Sequence, residues 1–228
     1  MRVLQGPLRG AHWIAGSGNH GYWLGSYELS KQIRFAESLR ADDVVFDIGA
    51  NVGFYTVLAS RLVTSAGRVY AFEPLPHNLR YLRPVAMNAS RNVSIIAAAV
   101  ATSPGRARFA GGVDRSQARL DPSGEIEVDV VAIDELVAAN QLALPQIVKI
   151  DVEGAEFNVL HGMIETVRAA APLIFLATHG SDVHAQCLAL LDEVGYKVTP
   201  LNADQPDELV AIQHDTSGLA GRFNPHAH

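Results

Sequence analysis

From residue 43 onward, short apolar runs rich in β-branched residues alternate with longer segments of helical periodicity. This alternation is typical of a mainly parallel sheet with helices on both faces. We therefore expect an α/β fold of the doubly wound type. The predicted strands are 43–48, 68–73, 93–99, 127–132, 146–151, 172–178, 196–201 and 207–213, and the predicted helices are 53–64, 76–89, 133–139, 154–170 and 182–194.

The chain outside this alternation divides into three parts. Residues 1–40 are rich in glycine and aromatic residues and then helical from about residue 28, which predicts a preface packed onto the same domain as a lid or an anchor. Residues 41–214 form the main domain, and the polar residues 215–228 form a flexible tail. Trp13 and Trp23 in the preface are expected to be exposed, where they would suit a dimer contact as well as a lid.

Composition excludes several classes of protein. With 48% hydrophobic and 18% charged residues among 228, the chain can bury one sizeable core. Its net charge of −6 and its lack of a basic run argue against a nucleic-acid partner. No apolar stretch reaches the roughly 18 to 20 residues of a membrane span. A single cysteine, Cys187, and an N-terminus unlike a signal peptide predict a cytoplasmic protein.

The stretch "VVFDIGANVGFYT" at residues 44–56 predicts a ligand site. Asp47 ends a buried strand, and Gly49 and Gly53 flank a turn that leads into a helix. Ligands of open α/β sheets bind at this edge, where glycines let the backbone approach them closely. Glu73 ends the next strand, where its carboxylate can accept both hydroxyl hydrogens of a ribose. The ligand should therefore contain a ribose.

Two kinds of ribose ligand compete for this loop. A dinucleotide is disfavoured because the spacing is Gly-x-Asn-x-Gly, centred on Asn51, and because Asp47 would repel a pyrophosphate. S-adenosylmethionine has no phosphate, and its ammonium and sulfonium groups favour nearby acids. We therefore predict S-adenosylmethionine as the cofactor, bound by Asp47, Gly49, Asn51, Gly53 and Glu73.

A second acidic stretch, "IVKIDVEGAEFNVLHGM" at 147–163, carries the candidate catalytic residues. Asp151 follows a central strand, and alternation along an extended chain would direct Glu153 the same way. The next strand ends in His179. Since the carboxyl ends of parallel strands share one edge, these three side chains are expected to meet near the methyl group of the cofactor.

Methyl transfer needs alignment, and a base where the attacking hydroxyl must lose a proton. His179 has a suitable intrinsic pKa, and Asp151 or Glu153 could orient it or take the proton instead. Alternatively, these residues could hold a divalent cation that acidifies the acceptor hydroxyl. We predict a site without metal, because only three candidate ligands are visible and their spacing is not that of a metal motif.

Four stretches, "VVFDIGANVGFYT", "VYAFEP", "NVSIIAAAV" and "IVKIDVEGAEFNVLHG", resemble in this order the FkbM-type S-adenosylmethionine-dependent methyltransferases of the class I fold. The resemblance covers about residues 43–180 and is most specific at 149–156. It implies a Rossmann-like sheet of seven strands, mostly parallel with the last strand inserted antiparallel. It also implies O-methylation of a hydroxyl on a sugar or another small natural product, with Asp151 and Glu153 near the methyl group.

One position departs from the family pattern. Many members carry a glutamate two residues before the histidine that ends the next strand, where this chain has Ala177. His179 would therefore need Asp151 or Glu153 as its partner. Two other interpretations stay open: a non-catalytic S-adenosylmethionine-binding module, which Ala177 favours, and an NAD-type oxidoreductase, which the loop spacing disfavours.

Overall fold

The computed structural model describes residues 1–89, 92–110, 119–120 and 123–214. It contains one large and one small sheet, with helices on both faces of the large sheet. The strands are β1 (Val44–Ile48), β2 (Arg68–Phe72), β3 (Val93–Ile96), β4 (Ala99–Val100), β5 (Gly105–Ala110), β6 (Arg119–Leu120), β7 (Ile126–Val131), β8 (Ile147–Ile150), β9 (Leu173–Ala177), β10 (Tyr196–Asn202) and β11 (Gln205–Gln213). The helices are α1 (Gly21–Leu24), α2 (Leu29–Ser38), α3 (Phe54–Leu62), α4 (Pro76–Ala89), α5 (Ile133–Ala138), α6 (Glu156–His161), α7 (Ile164–Ala170) and α8 (Ser181–Glu193).

The large sheet has the strand order β10-β11-β9-β8-β1-β2-β3. Neighbours from β3 to β9 pair in parallel, whereas β11 pairs antiparallel with both β9 and β10. The predicted fold class, a mostly parallel Rossmann-like sheet with an antiparallel last strand, is confirmed. The strand order reverses direction between β1 and β8, and in such sheets the crevice at this switch point is where ligands bind.

Alternating side chains of the central strands feed two separate hydrophobic cores. Val45 belongs to the core that includes side chains of α2 and α3, and its neighbour Phe46 belongs to the core that includes side chains of α6 and α8. Val45 and Phe46 are both fully buried. Strands buried on both faces read as continuous apolar runs, which explains why the sequence shows runs rather than a polar alternation.

Two predicted elements are each divided in the structure. The predicted strand 93–99 comprises β3 and β4, which lie in different sheets. The predicted helix 154–170 comprises α6 and α7, with Gly162 between them. A Cβ atom on Gly162 would lie 2.0 Å from the carbonyl oxygen of Ala101, so the break lets the chain after β4 pass close to the helix pair.

The predicted strand 127–132, observed as β7, lies outside the large sheet. It pairs with β4 and β5 in the small sheet, whose strand order is β4-β7-β5-β6. The segment 101–124, expected to be mostly loop with strand-like pieces, contributes β5 and β6 to that sheet. Residues 111–118 and 121–122 lie outside the described residues.

The part of the N-terminal segment that precedes α2 packs into the same hydrophobic core as side chains of α2 and α3. The expectation that Trp13 is exposed is wrong: the side chain is 4% exposed and contacts the rings of Tyr22 and Phe54. Trp13 is therefore unavailable for a dimer contact, and Trp23 is only partly buried. The predicted tail 215–228 lies outside the described residues. Among the helices that are described, none has the length and apolar character needed to cross a membrane.

Candidate functional site

A cavity of about 660 Å³ opens at the switch point of the large sheet. Such a volume is typical of sites for small molecules and cofactors. Its wall comes from the carboxyl ends of β1, β2 and β8 and from the N-terminal segment, with His179 after β9 and Glu208 on β11. Five carboxylates line the described cavity, those of Glu28, Glu73, Asp151, Glu153 and Glu208, against one lysine, Lys149.

The glycine loop after β1 is shaped by its close approach to β8. Gly49 has a φ of +77°, and a Cβ atom there would lie 1.9 Å from the carbonyl oxygen of Asp151. Asn51 and Gly53 also have positive φ. Gly53 directly precedes the first turn of α3, and no side chain caps this end of the helix. The N-terminal end of α3 is therefore left open towards the loop.

Glu73 fixes the loop from the end of β2. Its Oε2 atom accepts a hydrogen bond of 2.8 Å from the Asn51 backbone N–H, and its Oε1 atom accepts one of 2.9 Å from the Leu75 N–H. The residue is 3% exposed, and burial raises the pKa of its carboxyl although these donors act in the opposite direction. Oε1 also accepts a hydrogen bond of 3.1 Å from the Asn78 side-chain amide, whereas Oε2 keeps a second lone pair to which a hydroxyl group of a ligand can donate.

Asp47 lies below the cavity rather than on its wall. It is fully buried, its Oδ2 atom accepts a hydrogen bond of 2.6 Å from the Thr56 hydroxyl, and its Oδ1 atom lies 3.5 Å from Lys149 Nζ. Asp47 therefore lies behind the residues that line the cavity. Gly53 likewise shapes the loop without lining the cavity.

Lys149, on β8, contacts the residues that follow both β1 and β8. Its Nζ atom donates to the Gly49 carbonyl oxygen at 2.8 Å and lies 3.6 Å from Asp151 Oδ2. Burial pushes the pKa of the Asp151 carboxyl upward, but Lys149, Lys31 and His179 together outweigh it and hold that pKa below its usual value. Asp151 is therefore ionised at neutral pH.

Asp151, Glu153 and His179 meet at one side of the cavity, as the sequence predicts. His179 Nε2 lies 3.9 Å from Asp151 Oδ1 and 3.6 Å from Glu153 Oε2. The backbone between Asp151 and Glu153 is not the extended chain that the sequence predicts. Glu153 has a φ of +56° and lies in a turn beyond β8, and this turn directs its side chain towards His179. One ligand atom from each of the three residues lies within 4.8 Å of the others, which is close enough for a shared divalent cation.

Glu156 is the functional residue that sequence reasoning missed. Its Oε1 atom lies 2.8 Å from His179 Nδ1, and the same atom accepts a hydrogen bond of 2.9 Å from the Gly154 N–H. Since a carboxylate can only accept, the imidazole donates through Nδ1 and directs Nε2 towards Asp151 and Glu153. Glu156 thus supplies the carboxylate partner of His179 Nδ1, a role that the sequence reasoning gave to Asp151 or Glu153. The signal was present in the sequence, because Glu156 begins the helix after the acidic turn.

The hydrogen bond to Glu156, followed by the charges of Glu153, Glu156 and Asp151, raises the pKa of His179 to about 9 although burial lowers it. The imidazole of the ligand-free protein therefore carries a proton at neutral pH. Burial, then Asp151 and Glu156, raise the pKa of Glu153, although His179 lowers it. A second cation in the cavity would disfavour the protonated imidazole and so lower the pKa of His179.

The opposite end of the cavity is apolar. Leu75, Ala98, Ala99 and Phe109 line it, and Phe109 packs against Leu75. This end suits a flat heterocyclic base, next to a carboxylate that suits a ribose. Fold and cavity together define a Rossmann-like protein that binds a nucleoside whose other end is cationic.

Comparison with known sequences makes this class more specific. The family described as the methyltransferase FkbM domain matches residues 47–198. Hexuronic acid methyltransferase AglP of Haloferax volcanii is 26% identical over 183 residues, which cover 78% of this chain and 74% of that protein. The 31-O-demethyl-FK506 methyltransferase FkbM of Streptomyces tacrolimicus is 28% identical over 201 residues, which cover 73% of this chain and 77% of that protein.

Solved structures share the fold. The methyltransferase FkbM of Methylobacillus flagellatus superposes with a TM-score of 0.57 at 19% identity, covering 76% of this chain but only 44% of that one. The precorrin-6y C5,15-methyltransferase of Geobacter metallireducens gives a TM-score of 0.52 at 17% identity, covering 89% of this chain and 95% of that one.

The chain belongs to the FkbM methyltransferase family. It is a methyltransferase, and its cofactor is S-adenosylmethionine. The residues present fit this cofactor: Glu73 lines the cavity beside apolar residues, and five carboxylates line it against one lysine among the described residues. A pyrophosphate would be repelled by this excess of acids, so an NAD-type cofactor is disfavoured on the same grounds.

Proposed function

We propose that this methyltransferase methylates a hydroxyl group of a sugar or another small natural product, with His179 as the general base. The observation that carries the proposal is the pairing of His179 Nδ1 with the buried Glu156, which leaves Nε2 directed into the cavity beside Asp151 and Glu153. A hydroxyl acceptor needs such a base, because the proton must leave as the new bond forms.

The cofactor supplies an electrophilic methyl group on a positively charged sulfur. The chain's own residues then have three tasks: Glu73 holds the ribose, the loop at Gly49 and Asn51 lets the backbone approach the cofactor, and Asp151 and Glu153 orient the acceptor. His179 Nε2 receives the hydroxyl proton. Because His179 is protonated in the free protein, it must first lose that proton, which a cationic cofactor nearby favours.

The acids around the cavity favour a neutral hydroxyl over an anionic acceptor group. A carboxylate placed beside Asp151 and Glu153 would meet two like charges in a partly buried site, which is unfavourable. The two curated relatives are named for a hexuronic acid and for 31-O-demethyl-FK506, which supports sugars and natural products as the acceptor class. A hexuronic acid would have to present a hydroxyl, and not its carboxylate, to Asp151 and Glu153.

The test is turnover with a panel of neutral sugars, hexuronic acids and hydroxylated natural products, read as formation of S-adenosylhomocysteine by mass spectrometry. We expect methyl ethers on neutral acceptors, and loss of turnover in His179→Ala with cofactor binding retained. Full turnover in His179→Ala would exclude His179 as the base. Cofactor binding with no turnover of any acceptor would favour the non-catalytic module, and tight NAD binding without S-adenosylmethionine binding would favour the oxidoreductase.

A further inference from the structure

Glu28 precedes α2 in the N-terminal segment, yet its side chain lines the same cavity as the glycine loop. Its φ of +45° lies in the left-handed region, which is strained for a residue other than glycine. The side chain remains 21% exposed, so the carboxylate is accessible from the cavity. A strained residue with an acid directed at a ligand site suggests a ligand contact.

Two neighbouring phenols donate hydrogen bonds to the Glu28 carboxylate. The Tyr55 hydroxyl donates to Glu28 Oε2 at 2.8 Å, and Tyr27 also hydrogen-bonds to this carboxylate. Burial, and then the charge of Glu28, raise the pKa of both phenols well above 10, so they stay protonated and continue to donate. These donors fix the position of the Glu28 carboxylate at the cavity wall, where its charge attracts a cation.

The lysines around Glu28 do not balance the acids. Lys31 Nζ lies 2.6 Å from Glu208 Oε2 but 3.4 Å from Glu28 Oε2, so it pairs more closely with Glu208. Lys149 is shared in the same way between Asp47 and Asp151. Both lysines lie within 6 Å of the Tyr55 ring, at 5.7 and 5.6 Å. Four carboxylates therefore share two lysines in one region, which leaves room for a further positive charge.

S-adenosylmethionine carries two positive charges, on its sulfur and on the α-ammonium group of its amino acid arm. With the ribose at Glu73 and the methyl-bearing sulfur beside Asp151 and Glu153, the arm has to extend along the remaining wall, which the glycine loop and the N-terminal segment form. We propose that Glu28 binds the α-ammonium group of S-adenosylmethionine. This inference rests on the cofactor and on the proposed placement of its ribose and sulfur, and it is independent of the acceptor.

The test measures binding by calorimetry and needs no turnover. Glu28→Gln keeps the size of the side chain and an oxygen that can accept from Tyr55, but it removes the charge. S-adenosylhomocysteine contains the ammonium group, whereas 5′-methylthioadenosine lacks the whole amino acid arm and the deaminated analogue of S-adenosylhomocysteine lacks the ammonium alone. Glu37→Gln, on the exposed side of α2, is the matched control.

We expect Glu28→Gln to weaken S-adenosylhomocysteine binding roughly ten- to a hundredfold, the size of a charge-assisted hydrogen bond. Binding of methylthioadenosine and of the deaminated analogue should match wild type, and Glu37→Gln should match it for all three. Equal losses for all three ligands, unchanged affinity for S-adenosylhomocysteine, or tighter binding would overturn the inference. If wild type binds none of them, the cofactor site itself is wrong, which is a separate result.

Discussion

His179 Nδ1 lies 2.8 Å from Oε1 of Glu156, a carboxylate that is fully buried. The two residues come from different elements, Glu156 from the start of α6 and His179 from the loop after β9. A buried acid that accepts from one nitrogen fixes which nitrogen faces the ligand, because only the neutral nitrogen of an imidazole can take a proton. The arrangement thus orients His179 although Ala177 leaves the family's usual partner missing.

The rate of methyl transfer should rise with pH. Since the pKa of His179 is raised to about 9, the imidazole becomes a base only as pH approaches that value. The ratio kcat/KM for the cofactor reports the free enzyme, so its midpoint should lie near 9. The midpoint of kcat should lie lower, because a bound cation disfavours the protonated imidazole. A rate that is constant between pH 6 and 10 would contradict this prediction.

Glu156→Gln should move the kcat/KM midpoint downward, towards the ordinary histidine value of about 6.5. The amide can still accept from Nδ1, but the charge that stabilises the imidazolium is gone. Glu165→Gln, at an exposed acid on α7, is the control and should leave the profile unchanged. A midpoint that stays near 9 in Glu156→Gln would show that Glu156 does not act on the titrating group.

Glu73→Gln should weaken S-adenosylhomocysteine and 5′-methylthioadenosine alike, by roughly ten- to a hundredfold. Both ligands contain the ribose, and the new amide would face either the Asn51 or the Leu75 N–H in place of an acceptor. Calorimetry measures both affinities, and melting temperatures report whether the loop has loosened. Selective loss of only one of the two ligands would argue against a ribose contact at Glu73.

Chelation should leave turnover unchanged, because the proposed site uses His179 as a base and no metal. Asp151, Glu153 and His179 lie close enough to share a cation, so the prediction can fail. The check is turnover after dialysis against EDTA, with and without added Mg²⁺ or Mn²⁺. Activity that is lost on chelation and restored by either ion would assign these three residues as ligands.

The sequence predicted what depends on local periodicity and on strand ends. Buried β-rich runs identified the central strands, and the shared edge of parallel strands correctly brought Asp151, Glu153 and His179 together. It did not predict which particular side chains pair with one another. The Glu156–His179 pair joins residues 23 positions apart, and the Tyr55–Glu28 hydrogen bond joins the preface to α3.

Side-chain exposure was harder to predict than position. Asp47 ends its strand as expected, but it is fully buried, its Oδ2 atom accepts from the Thr56 hydroxyl, and it does not line the cavity. Trp13 reads as exposed in a glycine-rich segment, whereas Phe54 and Tyr22 enclose it. In each case the deciding partner lies on another element, and no local pattern reveals it.

Gly49→Ala should destabilise the protein and abolish cofactor binding. A φ of +77° costs alanine about 1–3 kcal/mol, and its Cβ would also lie 1.9 Å from the Asp151 carbonyl oxygen, so β1 and β8 would have to separate at the cavity. Gly195→Ala separates these two effects, because Gly195 has a φ of +80° with nothing within 4 Å of the added Cβ. We expect Gly195→Ala to lower the free energy of unfolding by the conformational cost alone and to bind S-adenosylhomocysteine normally. Equal losses of stability in the two variants, with cofactor binding retained in Gly49→Ala, would show that the close approach of the strand ends does not shape the site.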